Sequence, residues 1–430
     1  MRDRKHLLLG LGLALPLCLL LGSYSPALAH VDRAASQRIT VTYMASGTYD
    51  VAARDVARQL QKEGINVTVD AFPWAVLRQK NTTDILSGAK NYDVMSGSYY
   101  LADIYPHFTS LAAQMKSSHY GRGMIPNLLS RSEYFNGQPI GAPYGPDSYG
   151  MIYRTDLFKK YGLTLPTTWS AFDSDLKALK QKLPRGIDPY AFAAGANEQL
   201  PALLFARYGG TFVTKDGHYQ LEVGKAAKAI ADARFALKQG PPNITGLSID
   251  EANALFLQGK VAMMEGWPSF IVAAAIDPKQ SRVVGKWGVA AYPSGGFPWL
   301  SLWQLFIPKD APNPSAGWTW IEAYTSPANS TTFFLKYGIG SDYSATYNDP
   351  RAIQKYGTAY LSGEMANIAH AKNPPLSGEA QDGLAQTLGD IFTGRTTVQH
   401  GLQTLNNKWA ALTVPKALLE SARRNGFQAH

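Results

Sequence analysis

Cysteine is almost absent from this sequence. Its 430 residues include one cysteine, Cys18, which lies in an apolar segment close to the N-terminus. A disulfide framework needs several cysteines, and thiolate zinc sites and iron–sulfur clusters need them as ligands. If the segment around Cys18 is removed from the mature chain, all of these sites are excluded, and so is a cysteine nucleophile.

The short motifs of common enzymes are also missing. The sequence contains no H-E-x-x-H zinc motif and no G-x-S-x-G nucleophile turn. Gly259-Lys260 is not a P-loop, because the leading glycine is absent and valine follows the lysine. The eight histidines are dispersed, so we expect no metal site. A glycosidase stays open at this point, since its two carboxyl groups can be far apart in sequence.

Long apolar stretches and dense charge clusters are scarce. A mean hydropathy of −0.17 argues against a protein with many membrane spans. The net charge is +9, but the basic residues are scattered, whereas nucleic-acid binding needs them in a patch or stripe. Apolar residues make up 45%, enough for a packed core. The composition therefore predicts a globular protein that does not bind nucleic acid.

The first 29 residues have the pattern of a secretory signal peptide. Basic residues within positions 2–5 precede an apolar run at positions 7–21, and the Ala-Leu-Ala at positions 27–29 fits a cleavage site. We predict cleavage after this site and a periplasmic or otherwise exported protein. No lipid anchor is expected, because Leu17 rather than a small residue precedes Cys18. Cleavage removes three basic and one acidic residue, so the net charge falls from +9 to +7.

Strand and helix patterns alternate after this leader. Residues 38–43 alternate as a β-strand, residues 50–63 have helical spacing, and residues 65–69 alternate again. A strand–helix–strand unit of this length predicts a βαβ crossover in a parallel sheet. Stretches rich in glycine and proline at 141–146 and 286–296 predict places where the chain passes between two lobes. Clefts between lobes are favoured ligand sites.

Aromatic residues are abundant, with nine Trp, 23 Tyr and 17 Phe. Many of them stand beside glycine, proline or serine in predicted loops. Aromatic faces suit the C–H faces of sugar rings, while carboxylates and amides can hold the hydroxyls. A single tryptophan is more often buried for packing alone, but the loop aromatics taken together favour a ligand cleft.

Three sequence blocks carry a family resemblance. The first runs from 135 to 172 and includes F-N-G-Q-P-I-G-A-P-Y, M-I-Y-R-T-D-L-F-K-K-Y-G-L and P-T-T-W. The second is A-L-F-L-Q-G-K-V-A-M-M-E-G-W at 254–267, and the third is L-F-I-P-K through T-S-P at 305–327. In this order they resemble the extracellular solute-binding proteins of ABC importers, in the sugar-binding branch with the maltose- and trehalose-binding proteins.

The resemblance implies an α/β, two-lobed periplasmic-binding-protein-like fold, with a ligand cleft between the lobes and a hinge of several crossings. The crossings would lie near 143–147, 287–293 and 324–327. The implied domains are residues 30–145 plus 288–326 for the N-terminal lobe and residues 146–287 plus 327–430 for the C-terminal lobe.

The implied function is non-catalytic. The protein would capture a carbohydrate, a di- or oligosaccharide, and deliver it to membrane-embedded ABC permease subunits, as a monomer without cofactor or metal. Two alternatives stay open. The positive charge would suit a phosphorylated or acidic ligand such as glycerol phosphate, and a similar cleft could belong to an extracellular glycan-active enzyme.

The resemblance also suggests residue roles. Asp147 matches a hinge carboxylate that accepts sugar hydroxyl bonds in maltose-binding relatives, although it could equally cap a helix or a turn. Trp267 matches a stacking tryptophan, and its neighbours Gly266 and Pro268 predict a tight turn that exposes the ring at a lobe edge. The full set of expected ligand-binding residues is Ser46, Tyr49, Ser98, Tyr99, Tyr144, Asp147, Tyr149, Asn197, Glu198, Trp267, Trp299, Trp303 and Tyr343.

Overall fold

Two large β-sheets and a small two-stranded sheet organise the molecule, which a computed structural model describes over residues 37–45 and 48–429. The predicted leader and Ser46 lie outside the described residues. In the described part, no helix is both long and apolar enough to cross a membrane. The strands are, in chain order, β1 (Gln37–Met44), β2 (Ile65–Phe72), β3 (Val94–Gly97), β4 (Tyr134–Phe135), β5 (Gln138–Pro139), β6 (Gly141–Ser148), β7 (Gly150–Arg154), β8 (Asp188–Ala191), β9 (Val261–Gly266), β10 (Trp287–Ala290) and β11 (Leu300–Phe306).

Helices fill the connections between these strands and form most of the C-terminal third of the chain. The α-helices are α1 (Tyr49–Gln61), α2 (Trp74–Ser87), α3 (Ala112–Ser117), α4 (Pro126–Ser130), α5 (Thr155–Tyr161), α6 (Trp169–Lys182), α7 (Leu200–Phe205), α8 (Val223–Leu237), α9 (Ile249–Leu257), α10 (Pro268–Ala275), α11 (Pro314–Tyr324), α12 (Pro327–Tyr337), α13 (Ser344–Tyr347), α14 (Pro350–Tyr356), α15 (Thr358–His370), α16 (Gly378–Phe392), α17 (Val398–Trp409) and α18 (Lys416–Asn425). Short 3-10 helices cover Tyr99–His107, Asn197–Gln199 and Ile244–Gly246.

The first sheet has the strand order β2-β1-β3-β11-β6. β1 pairs in parallel with β2 and with β3, so the predicted βαβ crossover is confirmed. The expectation of a parallel sheet is wrong for the sheet as a whole, because β11 runs antiparallel to both β3 and β6. The sheet is therefore mixed, and its fourth strand comes from a distant part of the sequence.

The second sheet has the order β10-β7-β9-β8. β8 and β9 are parallel, while β7 is antiparallel to both of its neighbours. The chain enters this sheet between β6 and β7, next to the first predicted crossing. It leaves through residues 291–299, next to the second. The strand at 287–290 pairs in the second sheet, although 288–290 were expected in the N-terminal lobe.

Helix α15 packs closely on the exit from the second sheet. A Cβ added to Gly363 would lie 1.8 Å from the carbonyl oxygen of Val289, so no larger residue fits there without movement. One turn later, the amide of Asn367 donates to the carbonyl oxygen of Ala290 (2.9 Å) and accepts from the backbone N–H of Tyr292 (3.0 Å). The helix thereby holds the second passage between the sheets in place.

A candidate ligand cleft between the two sheets

A cleft of about 350 Å³ opens where strands of both sheets end. Residues that end or follow β1 and β3 contribute from the first sheet, and residues that follow β8 and β9 contribute from the second. Ligands of α/β proteins bind at the carboxyl ends of strands, because side chains of several loops converge there. The lining residues are Met44, Tyr49, Trp74, Ser98, Tyr99, Tyr100, Asp147, Glu198, Gln199, Ile249, Trp267, Phe270, Trp299, Leu300, Ser301, Trp303 and Gln381.

The structure brings together most of the residues singled out from the sequence. Eight line the cleft: Tyr49, Ser98, Tyr99, Asp147, Glu198, Trp267, Trp299 and Trp303. Four others, Tyr144, Tyr149, Asn197 and Tyr343, are not part of this lining. Ser46 is outside the described residues.

Local hydrogen bonds and packing explain where these four side chains lie. The Tyr144 hydroxyl is buried against Ser96 Oγ (2.6 Å), and the Tyr343 hydroxyl donates to the backbone carbonyl of Thr325 (2.9 Å). Tyr149 is buried and bonds to a cleft residue instead of facing the cleft. The Asn197 side chain packs against helix α16 at Gly389.

Nine lining residues were not predicted from the sequence: Met44, Trp74, Tyr100, Gln199, Ile249, Phe270, Leu300, Ser301 and Gln381. Several are sequence neighbours of predicted residues, such as Tyr100, Gln199 and Leu300, and a wider window would have included them. Ile249 begins helix α9 and Gln381 lies within helix α16, and neither stands in a recognised motif, so no sequence pattern pointed to them.

Gln199 is held in one orientation by two donors. The indole N–H of Trp267 (2.9 Å) and the hydroxyl of Tyr149 (3.0 Å) both donate to its Oε1. A reversed amide would place an NH₂ group against both donors, so the oxygen must point to them. The Nε2 group, which has no hydrogen-bond partner among the described residues, is left to donate to a ligand.

Trp267 is more buried than its sequence context predicts. Only 9% of the residue is exposed, and its ring packs edge-on against Tyr149, with centroids 4.6 Å apart, and against Trp299 at 5.6 Å. Its backbone does leave β9 just before Pro268 begins helix α10. The expected exposure at a lobe edge is therefore wrong, and the ring forms part of the cleft wall.

Asp147 places a buried carboxyl group in the cleft lining. The residue is 3% exposed, and Ser269 Oγ donates to its Oδ2. Its other oxygen, Oδ1, has no hydrogen-bond partner in the described structure. Burial raises the pKa of Asp147 to about 7, against the lowering effect of its hydrogen bonds from Ser269 and the Ser148 backbone. An unpartnered buried oxygen costs free energy, so the Asp147 carboxyl group is held at a cost in the wall of the cleft.

Two exposed aromatic rings stand at the cleft from opposite sides. Trp74, at the start of α2, is 44% exposed, and Phe270, in the first turn of α10, is 50% exposed. Both are among the few large apolar side chains of the described structure that remain this exposed. Exposed apolar surface at a concave site points to a binding role. Nearby, the Tyr99 hydroxyl donates to Gln381 Oε1.

The charge of the lining is negative. Asp147 and Glu198 contribute carboxyl groups, while no lysine, arginine or histidine is among the lining residues. The described residues also contain no group of three histidine, cysteine or acidic side chains placed to hold a metal ion. The cleft thus offers aromatic faces, one oriented amide and carboxylate acceptors.

A buried ion pair supports the wall that carries Trp267. Arg207 Nη2 lies 2.5 Å from Glu265 Oε1, and Nη1 donates to Oε2 at 3.1 Å. The hydroxyls of Tyr190 (2.9 Å) and Tyr292 (3.0 Å) donate to the same carboxylate. Because Glu265 stands two residues before Trp267 on β9, this network fixes the end of the strand.

The sequence of this chain is similar to those of known binding proteins. The model of the family described as bacterial extracellular solute-binding protein matches residues 44–331. A protein of Brucella abortus named as a binding protein is 30% identical over 288 residues, which are 64% of this chain and 68% of that protein. The mannitol-binding protein of Pseudomonas aeruginosa is 27% identical over 268 residues, 58% of this chain and 61% of that protein.

Solved structures share the fold. A solute-binding protein of Agrobacterium radiobacter in complex with ribitol has a TM-score of 0.73, with 22% identity and coverage of 87% of this chain and 98% of that chain. Maltose-bound MalE3 of T. maritima has a TM-score of 0.71, with 21% identity and coverage of 86% and 98%. These similarities confirm the expected two-lobed α/β fold.

Proposed function

This chain belongs to the family of bacterial extracellular solute-binding proteins, and we propose that its cleft captures a neutral sugar or sugar alcohol for uptake by an ABC importer. Members of the family bind their solutes and do not convert them. The chain is therefore a binding protein and not an enzyme, which removes the glycan-active alternative.

The observation that carries the proposal is the chemistry of the cleft. Eight of its lining residues are aromatic, and the carboxyl group of Asp147 and the amide of Gln199, whose Oε1 accepts from Trp267, belong to the same lining. A polyhydroxylated ligand has apolar C–H faces for the rings and hydroxyls that can donate to Asp147 and accept from Gln199. The relatives named for mannitol or solved with ribitol and maltose bind ligands of this type.

The cleft volume favours a small ligand. Ligand pockets range over about 300–1,000 Å³, and this cleft, at about 350 Å³, lies at the lower end. A hexitol, a monosaccharide or a disaccharide suits this volume better than a long oligosaccharide. A longer oligosaccharide would have to extend out of the cleft past Trp74 and Phe270.

A phosphorylated or acidic ligand fits less well. Phosphate groups are usually held by arginine, lysine or a helix N-terminus, and the lining supplies two carboxyl groups and no cation. The positive net charge of the chain lies elsewhere on the molecule. We therefore place glycerol phosphate and similar anions behind neutral polyols.

We propose that residues 1–29 are removed on export and that the mature chain acts as a monomer. Its two lobes, residues 30–145 plus 288–326 and residues 146–287 plus 327–430, would close on the ligand before membrane-embedded permease subunits receive it. The pairing of 288–290 in the second sheet argues for moving those three residues to the C-terminal lobe.

Calorimetric titration of the mature chain, freed of bound solute by partial unfolding and dialysis, tests the ligand class. The panel is D-mannitol, ribitol, maltose and glycerol 3-phosphate. We expect saturable binding of at least one neutral compound, a matching rise in the melting temperature, and no binding of the phosphate. Tighter binding of glycerol 3-phosphate than of every neutral compound would overturn the proposal.

A further inference from the structure

An open recess of about 660 Å³ lies at the edge of the second sheet where β8 and β9 begin. Two backbone hydrogen bonds hold its parts together. The N–H of Asp188 donates to the carbonyl oxygen of Lys260 (2.8 Å), and the N–H of Arg282 donates to that of Leu257 (2.8 Å). The recess, called the basic recess below, is lined by Arg185, Gly186, Ile187, Gln258, Gly259, Lys260 and Arg282.

The basic recess is separate from the candidate ligand cleft. The cleft is lined by residues that follow β8 and β9, whereas the recess is lined by residues that precede the same two strands. The chain from Lys260 to Trp267 runs along β9, and at about 3.3 Å per residue it spans about 20 Å. The two sites share no lining residue, so a partner at the recess would not touch a ligand in the cleft.

The charge of the basic recess is opposite to that of the cleft. Arg185, Lys260 and Arg282 are exposed, and the lining contains no aspartate or glutamate. Within the described part of the chain, none of these three cations forms an ion pair. Because like charges without a counter-ion repel one another, an anionic partner would be stabilised at this face.

A buried arginine supports the wall of the recess. Arg154, at the end of β7, is 8% exposed, and its Nε and Nη2 donate to the two carboxylate oxygens of Asp156 (2.7 and 2.6 Å). Its Nη1 lies 3.2 Å from the point where a Cβ on Gly259 would stand. This ion pair is neutral overall, so it holds the wall in place without cancelling the three exposed cations.

The exposed loop at 282–286 extends the basic face beyond the recess. Val284 is 38% exposed, and the cations on either side of it, Arg282 and Lys286, are exposed as well. Segments that lie at a membrane surface combine such features, because their cations meet anionic headgroups while an apolar side chain enters the interface.

This chemistry suits a lipid surface better than an acidic protein. A stable protein interface buries about 800 Å² on each side around an apolar centre, and a single exposed valine supplies little of that. The cations stand on three separate segments, at 185, 260 and 282. Lipid headgroups are mobile, so each can move to one cation without a matching rigid surface.

We propose that this face, formed by the basic recess with Val284 and Lys286, docks on an anionic phospholipid surface. The inference goes beyond the proposed function and does not depend on which solute the cleft binds. For an extracellular solute-binding protein, such docking would keep the chain close to the membrane that contains the importer.

A second arginine-lined groove provides the comparison. It lies between α1 and the strands β1 and β2, and its lining includes Arg38, Arg54 and Arg58. Arg54 lies 3.6 Å from Asp50, and Arg58 forms an ion pair with Asp55. Two of its three cations are therefore neutralised within the protein, and we expect no lipid docking there.

Sedimentation with lipid vesicles tests the docking surface. The mature chain should bind vesicles of equal parts phosphatidylcholine and phosphatidylglycerol but not vesicles of phosphatidylcholine alone. Binding should weaken as NaCl rises from about 0.1 M to about 1 M, because the Debye length falls from about 10 Å to about 3 Å. Each lysine or arginine near an anionic surface contributes about fivefold, so the combined variant Arg185→Gln, Lys260→Gln and Arg282→Gln should bind about a hundredfold more weakly.

The combined variant Arg38→Gln, Arg54→Gln and Arg58→Gln is the matched control, since it loses the same charge at the other groove. It should bind anionic vesicles nearly as the wild type does, and melting curves should show that both variants are folded. Equal losses in the two variants would show that net charge alone acts, and would overturn the docking surface.

Two further outcomes would also overturn the proposal. One is equal binding of the wild type to both kinds of vesicle, or binding to neither at low salt. The other is release from anionic vesicles by inorganic phosphate beyond the release by chloride at the same ionic strength, which would make the recess a site for free phosphate.

Discussion

Trp74 offers the sharpest separation between a binding role and a packing role. The residue is 44% exposed, at the first position of helix α2, and it lines the cleft. Replacement by alanine should therefore remove ligand contact while leaving most of the core untouched. Alanine is also a good helix former at this position.

The magnitude follows from the exposed area. A tryptophan side chain presents about 250 Å², so an exposed fraction of 44% is about 110 Å². At about 25 cal/mol per Å², complete coverage by ligand would contribute about 2.8 kcal/mol, or about a hundredfold in Kd. A sugar ring or polyol chain covers one face, roughly half of that area, which gives about tenfold.

Calorimetric titration of Trp74→Ala with the best ligand of the panel measures this effect, beside a melting curve of the unliganded protein. Leu86→Ala is the matched control, because Leu86 lies on the same helix, is 67% exposed and is outside the cleft lining. We expect about tenfold weaker binding in Trp74→Ala and wild-type affinity in Leu86→Ala. Unchanged affinity in Trp74→Ala, or an equal loss in Leu86→Ala, would refute the assigned role.

Three further predictions concern the buried parts of the site. Wild-type affinity should fall as the pH drops through about 7, because protonation of Asp147 removes its charge-assisted hydrogen bonds. Asp147→Asn should weaken binding by about ten- to a hundredfold at pH 8 and abolish this pH dependence, which a pH series of titrations would show. Trp267→Phe keeps an aromatic ring but removes the indole N–H that orients Gln199, so affinity should fall about three- to tenfold, and the smaller buried ring should also lower the melting temperature. An unchanged affinity would contradict the role of this N–H. Arg207→Met leaves Glu265 buried without its cation and should lower the free energy of unfolding by about 3–5 kcal/mol in urea titrations, whereas a loss below 1 kcal/mol would show that the pair is dispensable.

Local patterns were sufficient to predict the first elements of the fold. Residues 38–43 alternate polar and apolar side chains, and the strand observed is Gln37–Met44. The helix predicted at 50–63 is observed at Tyr49–Gln61, with Val56 and Leu60 buried on one face. The antiparallel insertion of β11 had no such signal, because strand partners distant in sequence leave no trace in a local pattern.

In the candidate site, too, some residues could be predicted from the sequence and others could not. Asp147 and Trp267 stand in sequence blocks with a recognisable spacing, and both are in the cleft lining. Tyr144 and Tyr343 have loop-like neighbours, yet they are buried, since their hydroxyls find partners inside the protein.

The position of β11 has a consequence for how the chain folds. This strand lies between β3 and β6 in the first sheet, although all strands of the second sheet precede it in sequence. The first sheet cannot close until residue 306 has been synthesised, so a fragment that ends before it should not form a stable lobe. Pairing across such sequence separations is slow. For a member of an extracellular family, slow closure leaves time for the chain to cross a membrane while it is still unfolded.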